Sequence, residues 1–483
     1  PGGTTTIRPS VHGDVLHSRP AVVNYGGSTG VILFYGANDG LLRAVNGKQT
    51  GAGAGEELWG FAAEERLGKL KRLRDNSPAI RLSTTPSTIT EPKPRDYLMD
   101  GPIGVYQKIN GAGVTEKVHI YAGMRRGGRL LYALDVTDPA APKFKWKRTP
   151  TDTGFGVLGQ TWSEPKVAFV KGRANPVVIM GAGYDAVAED VTPRGATTMG
   201  NAVLVLDALD GTLLRSLPTT RSVAADVTLM DVNVDGKIDR AYAVDVGGNV
   251  YRVDFETPTS TDAADWSIYK LAALQGTATS TRKFFYPPDV VMAPTFVAVL
   301  VGSGDREKPL NETSTDAFFT VFDRSMGFKP TVTPAAITPS TMTVINGTST
   351  ATGDGCYMDL ESGEKVINAP VTSLGVTYFG TNKPVAPSTN SCLSNLGRAK
   401  IYAAPVFCKL TTDQILTGGG LPPSPVTGIV AVEYQINGVT QTKNVPFIIG
   451  APNAKRSGIE GSKIKPSATP VRRKNYWYIE GQK

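Results

Sequence analysis

The densest set of metal-type oxygen donors in the chain lies in MDVNVDGKIDRAYAVDVGGNVYRVDF, residues 230–255. Asp231, Asn233, Asp235 and Asp239 hold positions 1, 3, 5 and 9 of a short loop, with Gly236 at position 6 and the Lys237 carbonyl at position 7. Oxygen donors at alternate positions, with a glycine to permit the sharp bend, are what a calcium loop requires. Carboxylates placed this close repel one another unless a cation stands between them. An EF-hand adds a bidentate Glu at position 12 and a helix on each side. Position 12 here is Tyr242, and the flanks at 224–230 and 240–246 are apolar and β-prone. The loop is therefore expected to join two strands, with Gly247-Gly248 turning the chain into a third at 249–255. A metal-free Asp/Asn/Gly turn is the alternative. The four-ligand spacing favours calcium.

Other groups that could do chemistry form no catalytic set. Gly181-Ala182-Gly183-Tyr184-Asp185-Ala186 fits G-x-G-x-x-A, but VAEDVTPRG follows it. That run has too little apolar periodicity for the helix a dinucleotide site needs, so a hairpin turn is expected. His12, His17 and His119 have no HExxH company, which argues against zinc hydrolysis. No G-x-S-x-G elbow is present, and His17 beside Ser18 is expected to close a sheet. Gly302-Ser303-Gly304-Asp305-Arg306 reads as an Asp–Arg pair at a strand end rather than an anion nest, and Asp135 and Asp138 as Asx turns. The basic run 66–74 (RLGKLKRLR) reads as a solvated helix face. With no recognised module or stacking aromatics beside it, nucleic acid is not an expected partner.

The elements that carry these residues follow from composition and rhythm. The 483 residues include 53 glycines and 34 prolines, and 40% are hydrophobic. That composition supports a large core built from many turns and short strands. No run is apolar and long enough to cross a membrane as a helix. The net charge of +8 permits contact with acidic surfaces. Strand–turn–strand units recur at 31–45, 118–136, 176–217 and 223–255, then near 297–323 and 366–404. Such imperfect repeats mark a radially repeated sheet fold, with a sandwich or several small β domains as the alternative. Residues 64–100 and 328–354 read as surface insertions, and 409–460 as an extra strand pair. Cys356, Cys392 and Cys408 are too far apart for a CxxC site. One disulfide with one cysteine left over suits an oxidising compartment, and the pairing stays open. Starting at Pro1, the chain reads as a processed piece.

HGDVLHSRPAVV (12–23), YGANDGLLRAVN (35–46), GEELWGF (55–61), GMRRGGRLLYALDVTDP (123–139), GQTWSEPKVA (159–168) and VIMGAGYD (178–185) follow one another in the order seen in the C-terminal domain of the PilY1 family. These are type IV pilus tip-associated biogenesis factors. DVNVDGKIDRAYAVDVGGNVYRVD (231–254), VLVGSGDREKPL (299–310), DLESGEKVINAPV (359–371), TYFGTN (377–382) and Arg472-Arg473 continue the resemblance, which covers most of residues 11–405. It implies an all-β, modified seven-bladed β-propeller over residues 1–483, the family's N-terminal region being absent. It also implies one Ca2+ in an EF-hand-like loop between two strands, held by Asp231, Asn233, Asp235, the Lys237 carbonyl and Asp239. Cys356-Tyr357 stands where the family carries Trp-Tyr, 409–460 has no match, and no RGD tripeptide occurs.

The implied role is non-enzymatic: calcium-switched pilus extension and retraction, twitching motility and attachment. The implied setting is a bacterial cell surface, pilus tip or outer membrane, reached through the periplasm. Pilins and minor pilins would be partners, with host-cell or abiotic surfaces as adhesion targets. Two alternatives are a quinoprotein (PQQ-type) dehydrogenase and a purely structural envelope scaffold. The first is disfavoured because the chain has no adjacent cysteines.

Overall fold

In a computed structural model, residues 12–81, 88, 91–276, 281–310, 315–330, 332–345, 353–385, 395–409, 411–436, 439–452 and 462–463 are described. The chain divides into two compact units. Among the described residues, the first runs through Pro218 and takes in Ser222–Asp226, and the second comprises Thr219–Arg221 and those from Val227 onward. Cys392 and Arg472-Arg473 lie outside the described residues.

The first unit contains three antiparallel four-stranded sheets, each with its strands in chain order. The first sheet is Ala21–Asn24, Val31–Gly36, Leu41–Asn46 and Glu57–Ala62. The second is Ile103–Ile109, Thr115–Gly123, Leu131–Asp135 and Lys143–Arg148. The third is Lys166–Ala168, Val177–Gly181, Ala202–Asp207 and Leu213–Pro218. Burial explains the sequence pattern. Val177–Gly181 and Ala202–Asp207 are buried throughout, so both strand faces are apolar, whereas the last strands Glu57–Ala62 and Lys143–Arg148 are mostly part-exposed and carry charges. The cores lie between successive sheets: Phe34, Leu42, Ile120 and Leu134 pack together, and Tyr121, Trp146, Met180 and Leu204 form the next layer.

A three-residue key recurs where a new sheet begins. Ser18-Arg19-Pro20 leads into Ala21–Asn24, and Ser163-Glu164-Pro165 into Lys166–Ala168. Ser18 Oγ accepts the Gly36 N–H at 2.8 Å and Ser163 Oγ accepts the Gly181 N–H at 2.9 Å. Both glycines end the second strand of their sheet. A Cβ on Gly36 would meet the Met99 carbonyl oxygen at 2.1 Å, and one on Gly181 the Val223 carbonyl oxygen at 2.3 Å. Close backbone approach requires glycine at both positions.

The second unit opens with Thr228–Met230, Arg240–Val244, Asn249–Asp254 and Ser267–Ala273. A five-stranded sheet follows: Asp289–Met292, Val297–Gly302, Ala317–Asp323 and Gly355–Asp359, with Thr343–Val344 added in parallel at its edge. In the next sheet Lys365–Val366 and Val371–Ser373 both pair with Val376–Lys383, and Arg398–Pro405 and Thr412–Leu416 complete it. The Ser/Pro key returns there as Asn368-Ala369-Pro370, with Asn368 Oδ1 accepting the Gly380 N–H at 2.8 Å. Cys356 and Cys408, both buried, are joined by a disulfide within the core shared by these two sheets. The last sheet is a long hairpin, Val426–Ile436 with Val439–Ile449, plus Ser462–Lys463.

The fold refines several expectations. The basic run is helical over Leu67–Asp75 with no buried residue, as a solvated face should be. The stretch read as the 64–100 insertion ends inside the core, where Leu98 and Met99 are buried. Thr343–Val344 makes the 328–354 stretch partly a sheet edge rather than wholly a surface excursion. Beyond Gly181 the chain forms one helical turn, Ala186–Glu189, capped by Asp185, instead of a simple hairpin turn. A four-residue helix is far too short for the dinucleotide motif.

Candidate metal loop and the charged network behind it

Residues 231–239 connect the first two strands of the fourth sheet, where Met230 pairs with Arg240. The Asp239 N–H donates to the Met230 carbonyl at 3.1 Å and closes the loop. Inside it, Asp231 Oδ1 accepts from the Val234 and Asp235 amides at 2.7 and 3.2 Å, and Oδ2 from Gly236 at 2.8 Å. Asn233 Oδ1 takes the Asp235 N–H at 2.9 Å, and Asp235 Oδ1 the Lys237 N–H at 2.9 Å. Asp239 Oδ2 takes the Val232 N–H at 2.6 Å, and its Oδ1 stands 3.4 Å from Asn233 Nδ2. Gly236 has φ +83° and Val234 +62°. A β-branched residue in the left-handed region is strained, and Val234 is held there while its side chain is exposed.

The fold thus gathers Asp231, Asn233, Asp235, Lys237 and Asp239 into one turn. Among the described residues it does not assemble three carboxylates into a ready cage. Each acidic side chain is turned to loop amides instead. The donor chemistry fits a hard cation: carboxylate, amide and carbonyl oxygens, with neither thiolate nor imidazole. The electrostatics agree. Burial is the largest influence raising the Asp239 carboxyl above its usual range, and the negative Glu256 and Asp231 raise it further, against the amides of Val232 and Asn233. Arg240, next in the chain, turns instead to Asp254, 3.8 Å from its Nε, and to the Met326 and Gly327 carbonyls. Bound calcium would supply positive charge to this loop, and these five residues would hold it.

Tyr242 explains why no ligand occupies position 12. It lies wholly buried in Arg240–Val244 and donates its hydroxyl to Asp323 Oδ2 at 2.8 Å. That Asp323 belongs to a charged network absent from the sequence reading. Arg252 Nη2 reaches Asp254 Oδ1 at 2.5 Å and the Gly327 carbonyl at 2.7 Å, while Nη1 reaches Asp323 Oδ2 at 3.0 Å. The signal was YRVDF: two opposite charges alternating with apolar residues in a strand expected to be buried. Buried charges survive when paired and hydrogen-bonded. Asp245 is likewise fully buried and accepts from the Gly247 and Asn249 amides at 2.9 and 3.0 Å.

The remaining singled-out residues have structural partners. His17 Nδ1 is 2.6 Å from Asp100 Oδ2. Asp305 pairs with Lys283 at 2.9 Å, not with Arg306 as the local spacing implied, because burial brings a distant lysine to it. Asp135 and Asp138 accept the Thr137 and Ala140 amides at 3.0 Å, the expected Asx turns. His12 contacts the Gly13 carbonyl at 2.6 Å, and His119 is buried beside Asp135 at 3.6 Å. Among the described residues, no helix is long and apolar enough to cross a membrane.

Comparison with known proteins gives this arrangement a family. The PilY1 beta-propeller domain model matches residues 23–288. The type IV pilus biogenesis factor PilY1 of Pseudomonas aeruginosa is 30% identical over 291 residues, covering 53% of this chain and 22% of that protein. A PilY1 homolog of Xylella fastidiosa is 23% identical over 521 residues, covering 97% of this chain and 38% of the relative. The chain therefore spans well under half the length of these curated relatives. The crystal structure of the Pseudomonas aeruginosa PilY1 C-terminal domain superposes with a TM-score of 0.61 at 17% identity, over 91% of this chain and 94% of that one. That likeness gives the all-β sheets a propeller-type fold. With a family model that matches more than half of its length, the chain belongs to the PilY1 beta-propeller family.

Proposed function

We propose that the chain is a calcium-binding, non-enzymatic module of type IV pilus biogenesis and adhesion. Ca2+ occupancy of the 231–239 loop would regulate pilus extension and retraction, twitching motility and surface attachment. The observation that carries this reading is the loop itself: three carboxylates, an amide oxygen and a carbonyl at calcium spacing on a PilY1-family propeller. The printed names of the relatives, type IV pilus biogenesis factors, support the pilus setting. Export to the cell surface, pilus tip or outer membrane, with pilins or minor pilins as partners and host-cell or abiotic surfaces as adhesion targets, belongs to the same proposal. So does the seven-bladed form: six sheets of four or five strands and a three-stranded sheet, among the described residues, are candidate blades. Lacking a bidentate ligand at position 12, the site is expected to bind in the micromolar range or weaker.

The test is a pull-down of pilins and minor pilins, run in calcium and in chelator, alongside motility of a strain carrying Asp235→Ala. Calcium-dependent capture together with impaired twitching supports the switch. Capture that ignores calcium, with normal twitching in the variant, would leave a structural scaffold as the better reading.

A further inference from the structure

A cavity of about 160 Å³ opens beside the metal loop, and two of the loop donors, Asn233 and Asp239, line it. Asp254, Glu256, Met326 and Gly327 form another part of its wall. Most of the oxygens that this part could offer a cation are already committed. Asp254 is 3% exposed and holds Arg252 Nη2 at 2.5 Å. The Met326 and Gly327 carbonyls accept from Arg240, and Gly327 accepts from Arg252 as well. Glu256 differs in two ways. It is part-exposed, so an ion in the cavity meets its carboxylate without entering the core. It is also placed by the loop itself: the Phe255 N–H donates to the Asp239 carbonyl at 3.0 Å, which carries the pairing one residue past Asp254, and Glu256 comes next.

Taking calcium as the occupant of the 231–239 loop, on which this assignment rests, we propose that Glu256 is a further ligand of the ion. Its carboxylate closes the coordination from the end of the sheet's third strand. An EF-hand takes its bidentate carboxylate from position 12. Here that position is Tyr242, buried with its hydroxyl on Asp323. Counted once each, Asp231, Asn233, Asp235, the Lys237 carbonyl and Asp239 leave the ion short of the roughly six to eight oxygens that calcium takes. A carboxylate is the group that such a shortfall selects. It adds two hard oxygens and a negative charge, whereas an amide or hydroxyl adds one neutral oxygen. Asp239 and Glu256 share the cavity, and two carboxylates so placed repel unless a cation stands between them. With Glu256 engaged, the ion bridges the link between the first two strands to the end of the third. Occupancy then fixes the loop against its sheet rather than tightening the loop alone. The added charge moves affinity toward the tighter end of the micromolar range.

The experiment reads ligation and charge separately. Calorimetry measures the calcium affinity of the whole chain and of Glu256→Gln. Eu3+ bound in calcium's place then reports, through its luminescence lifetimes in H2O and D2O, how many waters remain on the ion. Glu256→Gln should lower calcium affinity at least about tenfold and add about one or two waters. A charge acting only from a distance would weaken binding and leave the water count unchanged. That result, or parent-like affinity, overturns the assignment. Asp235→Ala keeps the two readings apart: lost calcium binding there, beside a parent-like Glu256→Gln, removes Glu256 alone. A parent chain that binds no calcium removes the loop reading and Glu256 with it. Should near-UV circular dichroism show Glu256→Gln misfolded, Glu256→Ala carries the same two readouts.

Discussion

The Arg252 guanidinium meets the Asp323 carboxylate at 3.0 Å from a different sheet, both side chains having essentially no exposure. Asp254 closes the same guanidinium at 2.5 Å, and Tyr242 adds its hydroxyl to Asp323. The pair ties Asn249–Asp254, the second strand after the metal loop, to the neighbouring sheet. Removing its cation would strand two buried carboxylates. Arg252→Met is therefore expected to destabilise the fold by about 3–5 kcal/mol. Urea unfolding would measure it, and a change below about 1 kcal/mol would show that the network is solvated or easily relaxed.

Asp235 supplies one loop oxygen and caps only the Lys237 amide, 2.9 Å away, so its side chain contributes little to the fold. Asp235→Ala is expected to lower calcium affinity by at least about tenfold, since one charged ligand is lost. Without calcium its thermal midpoint should stay near that of the parent. Calorimetric titration checks the first point and circular dichroism the second; unchanged affinity would remove Asp235 from the ligand set.

The Cys356–Cys408 bond links residues 52 apart in sequence. In the chain-entropy account a closed loop of that size stabilises by about 4 kcal/mol. Cys356→Ser with Cys408→Ser should lower the guanidinium midpoint accordingly. A shift under about 1 kcal/mol would mean that the surrounding core already confines this segment when the chain is unfolded.

His119 is buried, and both ring nitrogens lack hydrogen-bond partners among the described residues. Burial, helped by the Lys145 charge and opposed by Asp135, pushes its imidazole down to about 4. A histidine depressed in the folded state takes up its proton first in the unfolded chain. Its stabilisation is complete above the ordinary value of 6.5 and is lost as pH falls from there toward 4. His119→Phe should flatten that part of the stability profile relative to the parent. An imidazole NMR titration near 6.5 would contradict the burial effect.

The positions of the loop and its flanking strands were legible because calcium spacing, glycine turns and apolar runs are local signals. The basic helix, the Asx turns at Asp135 and Asp138 and the long hairpin near 426–449 were readable for the same reason. What escaped depended on residues distant in sequence. Asp305 finds Lys283 rather than adjacent Arg306, and Arg252 finds Asp323 across 71 positions. Cys356 and Cys408 pair because two sheets share a core. Met99 is buried although it ends a charged, proline-dotted stretch, since composition averages over a segment and burial does not. The orientation of the loop oxygens toward amides was equally invisible to spacing.

Ser18 and Ser163 anchor the entrance to a sheet, and Asn368 the link between two short strands of one, each with one side-chain oxygen on a glycine amide. Because the latch is a single short polar side chain two residues before a proline, it does not depend on what the hairpins between successive latches contain. Connections of very different length, from the tight turn after Gly36 to the excursion between Gly181 and Ala202, hang on the same fastening. The architecture therefore separates inheritance from invention in these three sheets: the fastenings hold the strand ends together, while the connections are free to acquire new surfaces.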